Sequence, residues 1–425
     1  MKIALISYEY PPDTAFGGIA TYVQQAARSL VQFGHTVEVF SASLQANSSI
    51  MQDRVPVHRV LSCSRDEFAT EICGIFGLRH ADVGFDVVES PEYSSDGADV
   101  MLKHPELPHV VKLHTPNVII HRLSLPRIGV KRRLINTARY AKYFIRKMVS
   151  RHTPLCYGEW CIFNPQWQQA AIKERLNSRK ADLLVSPSRS LAMWAKRHWK
   201  IPANRIQVVP NVFNPDARLL SANRPRDLTD EVWLGYFGRL EHRKGIDGLI
   251  RALDISLTRY PKLQVRFVGR AQVHPISGSM YDEYIRGQLS RHSNRLEFIS
   301  AVPLEMMGKL YAETDIAIFP SLWENFPNVC LEAMSSACAV IGSKHGGMRD
   351  MIVNGKTGLL IDPCSTSSTV TAIAAMVENP GKRLKMGKMA RQRILDEYSD
   401  AAIVPQMIRS YEAAIALHHS TRRVR

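Results

Sequence analysis

The sequence predicts an α/β protein built from two doubly wound parallel-sheet units. At 425 residues the chain is longer than one ordinary hydrophobic core supports. Short apolar runs alternate with helical periodicity in both halves, which is the pattern of parallel strands joined by crossover helices. Pro202 and Pro210 flank a short apolar run between the halves. We therefore predict a first unit of residues 1–205 plus a returning C-terminal helix at 401–425, and a second unit of 206–400.

The first half opens with a strand, a helix and a second strand. An apolar run at 2–7 is followed by a loop rich in proline and glycine, and Gly34 ends the next helix before a strand at 36–40. Further strands are predicted at 87–89, 110–113 and 183–186. The first helix places one apolar face inward, made of Ile19, Tyr22, Val23, Ala26 and Leu30.

The second half repeats this pattern more clearly. A strand at 232–237 precedes a helix at 246–260, and later strands are predicted at 263–268, 296–299, 316–319, 339–342 and 359–361. A helix at 329–336 lies between two of them, and helices fill most of 368–418. Ligands of such sheets bind at the carboxyl ends of the strands, so residues just after each strand are the first candidates for function.

Composition excludes several classes of protein. Hydrophobic residues make up 45% and charged residues 22% of the chain, as in globular proteins. The seven cysteines are odd in number and show no C-x-x-C spacing, which argues against a disulfide framework or a zinc cluster. The first apolar run is too short for a signal peptide, and none is long enough to span a bilayer. We therefore expect a cytoplasmic location, with the option of peripheral attachment to the cytoplasmic face of the membrane.

The formal charge of +16 has a local source. Between Glu106 and Glu159 there are eleven Lys or Arg residues and no acidic residue. Within this stretch, apolar residues at 134, 138, 141, 145 and 148 follow a helical spacing, so residues 127–151 read as a basic amphipathic helix. Such a helix suits an anionic membrane surface. A well-solvated domain helix is the alternative, and nucleic-acid binding is disfavoured because aromatic stacking residues are not interleaved.

A basic motif follows the strand at 232–237. The run Gly238-Arg239-Leu240-Glu241-His242-Arg243-Lys244-Gly245 places Arg239 and Lys244 five residues apart, between a strand and a helix. An Arg fork and a Lys ammonium at that position could clamp a diphosphate. An ordinary basic turn before a helix is the alternative.

An acidic pair follows the strand at 316–319. Glu324 and Glu332 stand eight residues apart, across a loop and the start of a helix. Carboxylates accept hydrogen bonds from sugar hydroxyls, although acids near a helix N-terminus are also common. Gly346-Gly347 indicates a backbone that approaches a ligand closely. Positive charge for a diphosphate and carboxylates for sugars together predict a nucleotide-sugar site.

These two motifs carry a resemblance to a known family. Residues 320–334, PSLWENFPNVCLEAM, resemble the E-x7-E signature of retaining glycosyltransferases with the GT-B fold. Residues 235–245, GYFGRLEHRKG, are similar to the G-R-L-x-x-x-K-G donor-diphosphate motif of glycosyltransferase family 4. The opening segments 10–12 and 17–20, with 182–186 and 209–211, resemble further landmarks of that family. The resemblance implies two Rossmann-like domains that face a cleft.

The resemblance also implies roles for individual residues. Arg239 and Lys244 would neutralise the leaving diphosphate, Glu324 would lie near the sugar ring, and Glu332 would bind the donor ribose. His114 would lie near the acceptor, although a purely structural histidine is the alternative. The remaining donor-binding residues implied are Gly17, Gly18, Gly238, Asn325, Phe326 and Pro327, of which the first two could also form a plain turn.

The function expected is transfer of a hexose from a nucleoside diphosphate sugar to an acceptor hydroxyl, with retention of configuration. The acceptor would be a sugar or a lipid-linked sugar, in polysaccharide or glycolipid synthesis, bound on the N-terminal half. No cofactor and no metal are expected, because the chain has no D-x-D spacing and the two cations supply positive charge. An epimerase or hydrolase on the same fold, or a non-catalytic sugar-nucleotide-binding protein, is the alternative.

Overall fold

The computed structural model describes residues 1–15, 17–124, 159, 162, 164–221, 231–300 and 302–423. The chain divides into two compact units. The first contains Met1–Arg122, the described residues from 159 to 212 and the C-terminal segment from Asp400, and the second contains Phe213–Ser399 together with Leu123 and Ser124.

The first unit is built on an eight-stranded sheet whose order is β3-β4-β2-β1-β5-β6-β7-β8. All neighbours are parallel except β3, which pairs antiparallel with β4. The strands are β1 (Lys2–Ile6), β2 (Thr36–Ser43), β3 (Ser48–Gln52), β4 (Val55–Leu61), β5 (Val87–Pro91), β6 (His109–Lys112), β7 (Leu183–Ser186) and β8 (Ile206–Val208).

Helices cover both faces of this sheet, as the predicted α/β class requires. They are α1 (Gly18–Gln32), α2 (Arg65–Val83), α3 (Ala98–Lys103), α4 (Asn117–Ser124), α5 (Pro165–Lys180), α6 (Arg189–His198) and the C-terminal α15 (Asp400–Arg423). α15 is attached through a buried carboxylate, because Glu89 on β5 accepts hydrogen bonds from Tyr411 at 2.9 Å and from Tyr22 on α1 at 2.8 Å.

The short strand β8 belongs to the first unit. It pairs in parallel with β7, with Leu184 opposite Ile206, and the unit continues to Val212. The predicted boundary after residue 205 therefore falls before the last strand of this sheet. The two prolines that suggested a linker lie on either side of an edge strand.

The second unit is a six-stranded sheet, parallel throughout, with the order β11-β10-β9-β12-β13-β14. Its strands coincide with the predicted ones: β9 (Val232–Phe237), β10 (Leu263–Val268), β11 (Leu296–Ile299), β12 (Ile316–Phe319), β13 (Ala339–Ser343) and β14 (Leu359–Ile361). The helices are α7 (Ala217–Leu220), α8 (Ile246–Arg259), α9 (Tyr281–Gln288), α10 (Leu304–Ala312), α11 (Asn328–Ser335), α12 (Met348–Met351), α13 (Thr366–Val377) and α14 (Pro380–Glu397). The two candidate motifs thus follow β9 and β12, which are neighbours in the sheet.

Two observations bear on membranes. No helix within the described part of the chain has the length and apolar character needed to cross a bilayer. The predicted basic helix at 127–151 lies outside the described residues, so its proposed contact with an anionic surface stays a prediction.

Candidate functional site

The two motifs meet at the carboxyl edge of the second sheet. The chain leaves β9 through a short 3-10 turn, His242–Lys244, and enters α8 at Gly245, whose φ is +76°. A Cβ on Gly245 would lie 1.9 Å from the carbonyl oxygen of Pro320, so only glycine allows this approach. The Leu322 amide also donates to the Arg243 carbonyl at 2.9 Å. The loop after β9 is thereby fixed against the loop after β12.

A carboxylate lies between two cations at this contact. Oε1 of Glu324 lies 2.5 Å from Nζ of Lys244 and 2.9 Å from Nη1 of Arg243. All three side chains are largely buried, with exposed fractions of 12%, 15% and 11% in that order. Burial favours the neutral acid, yet Lys244 and Arg243 together hold the pKa of Glu324 below its ordinary value. Glu324 is therefore an ionised, buried group.

The pKa of the Lys244 ammonium is lowered, because burial disfavours its charge more than Glu324 stabilises it. The pKa of Arg243 is raised: burial opposes the shift, and Glu324 and Glu241 outweigh it. The two cations and the carboxylate, all largely buried, form a charged cluster that can hold an anion at its edge.

Arg239 and Lys244, the two cations that the sequence motif paired, contact different carboxylates. The Arg239 guanidinium is 58% exposed and lies 3.5 Å from Oε1 of Glu241, which also lies 2.8 Å from Nη2 of Arg243. Arg243, which sequence reasoning passed over, is the arginine that contacts Glu324. In the sequence, only the position of Arg243 directly before Lys244 indicated this contact. The contact depends on the geometry of the turn, which the sequence does not reveal.

Glu332 lies on α11 in a different environment. Its Oε2 accepts a hydrogen bond from the Tyr311 hydroxyl at 3.0 Å. Burial raises the pKa of Glu332, and the bond from Tyr311 only partly opposes that rise. Glu324 and Glu332 thus flank the same loop with pKa values shifted in opposite directions, the first contacted by cations and the second by a neutral hydroxyl.

The segment between the two glutamates is buried in part and leads into α11. The Phe326 ring lies 5.6 Å from that of Tyr398 and belongs to the hydrophobic core, and Asn325 is buried. Pro327 stands immediately before α11 with φ −73°, and no side chain caps the helix there. The implied donor contacts of these three residues, through their backbone amides, stay predictions.

Gly346 and Gly347 serve the chain's own backbone. Gly346 has φ +78°, and a Cβ on it would lie 2.0 Å from the Glu324 carbonyl oxygen. The Gly347 amide donates to that same oxygen at 2.7 Å. The pair was expected to approach a ligand closely, whereas the close approach that the structure shows is to the backbone of Glu324.

Gly17 and Gly18 begin α1 in the first unit, after β1. Gly17 is the N-cap, without a side-chain cap, and both glycines are exposed. Backbone N–H groups at the start of a helix of this length favour anions. A Cβ on Gly17 would lie 3.7 Å from Oε2 of Glu9, which is ordinary contact.

His114 follows β6 on the same edge of the first sheet. Its backbone amide donates to Oε2 of the buried Glu92 at 2.6 Å, and its ring meets the edge of Tyr22 at 5.4 Å. Burial lowers the pKa of His114 to about 3, and the positive charges of Lys112 and Arg65 add to the effect. His114 is thus a neutral imidazole near pH 7, suited to hydrogen bonding.

One group of side chains among the described residues has metal-like spacing. The ligand atoms of His80, His104 and Glu106 lie within 4.8 Å of one another. However, the Phe85 amide donates to Nδ1 of His80 at 3.1 Å, which leaves the ring proton on Nε2, the atom nearest Glu106. A proton on that nitrogen blocks metal coordination, so the group is a hydrogen-bonded end of α2.

Comparisons with known proteins cover both units. The family described as "Glycosyl transferases group 1" matches residues 222–393, and "Glycosyl transferase 4-like domain" matches 17–212. An uncharacterised glycosyltransferase of Methanocaldococcus jannaschii is 25% identical, over 98% of this chain and 99% of its own length. A D-inositol 3-phosphate glycosyltransferase of Corynebacterium urealyticum is 23% identical, over 97% and 96%.

Solved structures share the fold. Sucrose-phosphate synthase from Thermosynechococcus elongatus superimposes with a TM-score of 0.71 at 21% identity, over 98% of this chain and 99% of that one. HepE from Anabaena, in complex with UDP, gives a TM-score of 0.67 at 16% identity, over 97% and 100%. These neighbours are GT-B glycosyltransferases, and the predicted fold class is confirmed.

Proposed function

This chain belongs to the group 1 glycosyltransferases, and from that premise we propose that it moves a hexose from a nucleoside diphosphate sugar to an acceptor hydroxyl with retention of configuration. The observation that carries the proposal is the contact of Lys244 and Arg243 with Glu324 at the carboxyl ends of β9 and β12. Ligands of parallel sheets bind at such an edge. Buried cations there suit an anionic leaving group.

Charge stabilisation is the main catalytic contribution of this site. As the sugar–oxygen bond breaks, negative charge grows on the diphosphate, and Lys244 with the exposed Arg239 neutralises it. An ammonium has three donors, so the bond from Lys244 to Glu324 leaves donor capacity for a phosphate oxygen. Cations already in position need no reorganisation at that moment. This supports transfer without a metal, since fixed side chains supply the charge that a divalent ion would bring.

The two glutamates divide the donor between them in this proposal. Glu324, ionised and rigidly held, accepts from hydroxyls of the transferred sugar. Glu332, whose pKa is raised by burial, lies one helix turn further on α11 and accepts from the ribose. Gly17 and Gly18 offer amides to the phosphates, and the neutral His114 bonds the sugar or acceptor.

Donor identity and reaction type are tested together. Thermal unfolding of the full chain with UDP-, GDP- and ADP-sugars should show a rise in midpoint with one nucleotide class. Proton NMR of the product then reads the anomeric configuration, with EDTA added to one arm. Retained configuration and EDTA-resistant transfer support the proposal. Release of the sugar to water alone supports a hydrolase, and formation of an epimerised donor supports an epimerase. Binding of the nucleotide sugar without turnover supports a non-catalytic protein.

We further propose that residues 127–151 attach the protein to anionic membranes, where a lipid-linked acceptor would lie. The support is the run of basic residues without any acid. Each cation contributes about 1 kcal/mol near such a surface. Co-sedimentation with vesicles of phosphatidylglycerol and phosphatidylcholine, against phosphatidylcholine alone, should show salt-sensitive binding to the anionic vesicles only. Equal binding to both kinds of vesicle, or no binding to either, contradicts the proposed membrane attachment.

A further inference from the structure

We propose that Glu92, paired with Glu174, is a positioning residue that fixes the turn containing His114 for the transfer reaction. The inference rests on the proposed function, in which His114 bonds the sugar or acceptor, and it adds a residue that acts through His114. Glu92 follows β5 directly, Glu174 lies on α5, and both residues are fully buried. Glutamates are almost never fully buried unless they are paired, so two in one region indicate a specific arrangement.

The two carboxylates hold backbone amides of neighbouring segments. Oε2 of Glu92 accepts a hydrogen bond from the His114 amide at 2.6 Å. Oε1 of Glu174 accepts from the Ser94 amide and its Oε2 accepts from the Asn117 amide, both at 2.9 Å. His114 and Asn117 belong to the turn that joins β6 to α4, whereas Ser94 lies in the loop after β5. The two acids therefore fix this turn against the loop after β5 and against α5.

The hydrogen bonds divide unequally between the two acids. Both oxygens of Glu174 are bonded, and its Oε1 also accepts from the Asn117 side-chain amide at 2.6 Å. In contrast, Oε1 of Glu92 is buried and has no hydrogen-bond partner among the residues that the structure describes. Donors stabilise an ionised carboxylate, whereas burial without a donor favours the neutral acid. We therefore assign the negative charge to Glu174 and the proton to Glu92.

The pKa values of the two groups agree with this assignment. Burial raises the pKa of Glu174 to about 7, and its bonds from N–H groups oppose the rise. Burial raises the pKa of Glu92 well above its usual range, and the charge of Glu174 adds to that rise. Above pH 7, Glu174 is therefore ionised while Glu92 still holds its proton. Loss of that proton at higher pH would place a second negative charge in a fully buried pair.

The charges around the pair are already engaged. Arg65 on α2 acts on the pair, but its Nη1 donates to both oxygens of Asp96, at 2.9 and 2.8 Å, and its Nη2 is bonded to Glu9. Nζ of Lys112 on β6 donates to a backbone carbonyl oxygen at 2.9 Å. Burial raises the pKa of the adjacent Tyr93, so that group is neutral. Within the described part of the chain neither cation forms an ion pair with Glu92, so a second charge there would stay uncompensated.

Rising pH should thus release the turn that contains His114. An uncompensated buried charge draws water into its surroundings or displaces them, and the turn is bonded directly to that charge. The His114 imidazole does not titrate in this range, because burial lowers its pKa to about 3. A response of its ring above pH 7 therefore reports a change around it.

Histidine-selective NMR tests the positioning step on the full-length protein without substrate. The Cε1–H resonance of His114, assigned by its loss in His114→Gln, should shift in a transition as pH rises above about 7. Glu92→Gln keeps an oxygen that accepts the His114 amide but cannot ionise, so the transition should disappear. Glu71→Gln removes an exposed carboxylate from α2 and should leave the transition in place.

Lys112 requires its own control, because burial lowers its pKa to about 8 and its charge acts on His114. Lys112→Met removes that titration. A transition that persists in Lys112→Met and is absent from Glu92→Gln supports the proposal. A transition that is absent from Lys112→Met and persists in Glu92→Gln overturns it.

Transfer kinetics give the functional readout. Glu92→Gln should lower kcat/KM about two- to fivefold near neutral pH, because its amide adds a buried donor, and the decline with rising pH should be less steep than in the wild type. Glu92→Ala removes the acceptor of the His114 amide and should lower kcat/KM about tenfold or more at every pH. Circular dichroism checks that each variant is folded, and if Glu92→Ala does not fold, the pH profile of Glu92→Gln decides.

The outcomes separate the two proposals. No His114 transition in the wild-type protein, a transition that survives in Glu92→Gln, or a folded Glu92→Ala protein within twofold of wild-type activity overturns the positioning role while the transfer function still stands. The expected transition in a chain that neither binds nor consumes nucleotide sugars overturns the transfer function, and the role of Glu92 in it.

Discussion

Replacing Arg243 with methionine tests whether the buried ion cluster, and not exposed positive charge, governs catalysis. Methionine approximates the length of the arginine stem but removes the hydrogen bond to Glu324 at 2.9 Å and the ion pair with Glu241 at 2.8 Å. Lys244 then remains the single contacting cation of a carboxylate that is 12% exposed. A hydrogen bond to a charged group contributes about 1.5–3 kcal/mol. We therefore expect kcat/KM to fall about 10- to 150-fold.

The pH profile gives the more specific readout. Arg243 helps to hold the pKa of Glu324 down against burial, so its removal raises that pKa. The carboxylate then becomes protonated at a higher pH, and activity is lost earlier as pH falls. A loss of 1.5–3 kcal/mol corresponds to an upward shift of about 1–2 pH units in the acidic limb of kcat/KM.

Three companion variants sharpen the experiment. Arg243→Lys keeps a charge but loses the planar fork, and it should restore part of the activity and most of the acidic limb. Arg239→Met should weaken donor binding and shift the acidic limb less than Arg243→Met does, since Arg239 is 58% exposed and is the smallest contributor to the lowered pKa of Glu324. Arg251→Met removes an exposed charge from α8 and should change neither. An Arg243→Met protein that is folded, within twofold of wild-type activity and unshifted in pH profile refutes the reasoning.

Three further outcomes are expected. Gly245→Ala should lower kcat about 100-fold or more, since the new Cβ would lie 1.9 Å from the Pro320 carbonyl oxygen. Gly278 has the same φ of +76° but faces open space, so Gly278→Ala is the control. It should lower the free energy of unfolding in urea by only about 1–2 kcal/mol and leave activity unchanged. Tyr311→Phe removes the hydroxyl that bonds Glu332 at 3.0 Å and should raise the donor KM about threefold to tenfold with kcat little changed, in steady-state kinetics. Tyr411→Phe breaks the 2.9 Å bond from α15 to a buried carboxylate of β5 and should lower the free energy of unfolding, measured in urea, by about 1–2 kcal/mol without altering kinetics.

The central strands of both units were predictable because parallel strands are buried on both faces and read as unbroken apolar runs. β12, with the sequence Ile-Ala-Ile-Phe, is buried at every position. The hairpin of β3 and β4 was missed for the opposite reason. β3 is an exposed edge strand, and its turn places Asp53 and Arg54 at φ +52° and +66°, positions where glycine is the usual signal.

The candidate site, like the fold, has a part that the sequence predicts and a part that depends on tertiary contacts. Lys244 and Glu324 could be predicted because each follows a buried strand, and neighbouring parallel strands deliver their carboxyl ends to one edge. Which arginine joins them could not, since the choice depends on the 3-10 turn at His242–Lys244 and on the contact of Gly245 with Pro320. Both features depend on tertiary contacts, which residue spacing along the chain does not reveal.

The position of Glu324 explains how two cations can lie together before any ligand arrives. Arg243 and Lys244 would repel each other in a largely buried position, and burial alone would favour loss of the Lys244 proton. The ionised Glu324 opposes both effects by contacting the two groups through one oxygen, although the pKa of Lys244 stays lowered. Gly346 and Gly347 hold the backbone of Glu324 from the other side. In the proposed transfer reaction, the charge that faces the diphosphate is thus set by the fold, and its stabilisation of the transition state would need no rearrangement of the site.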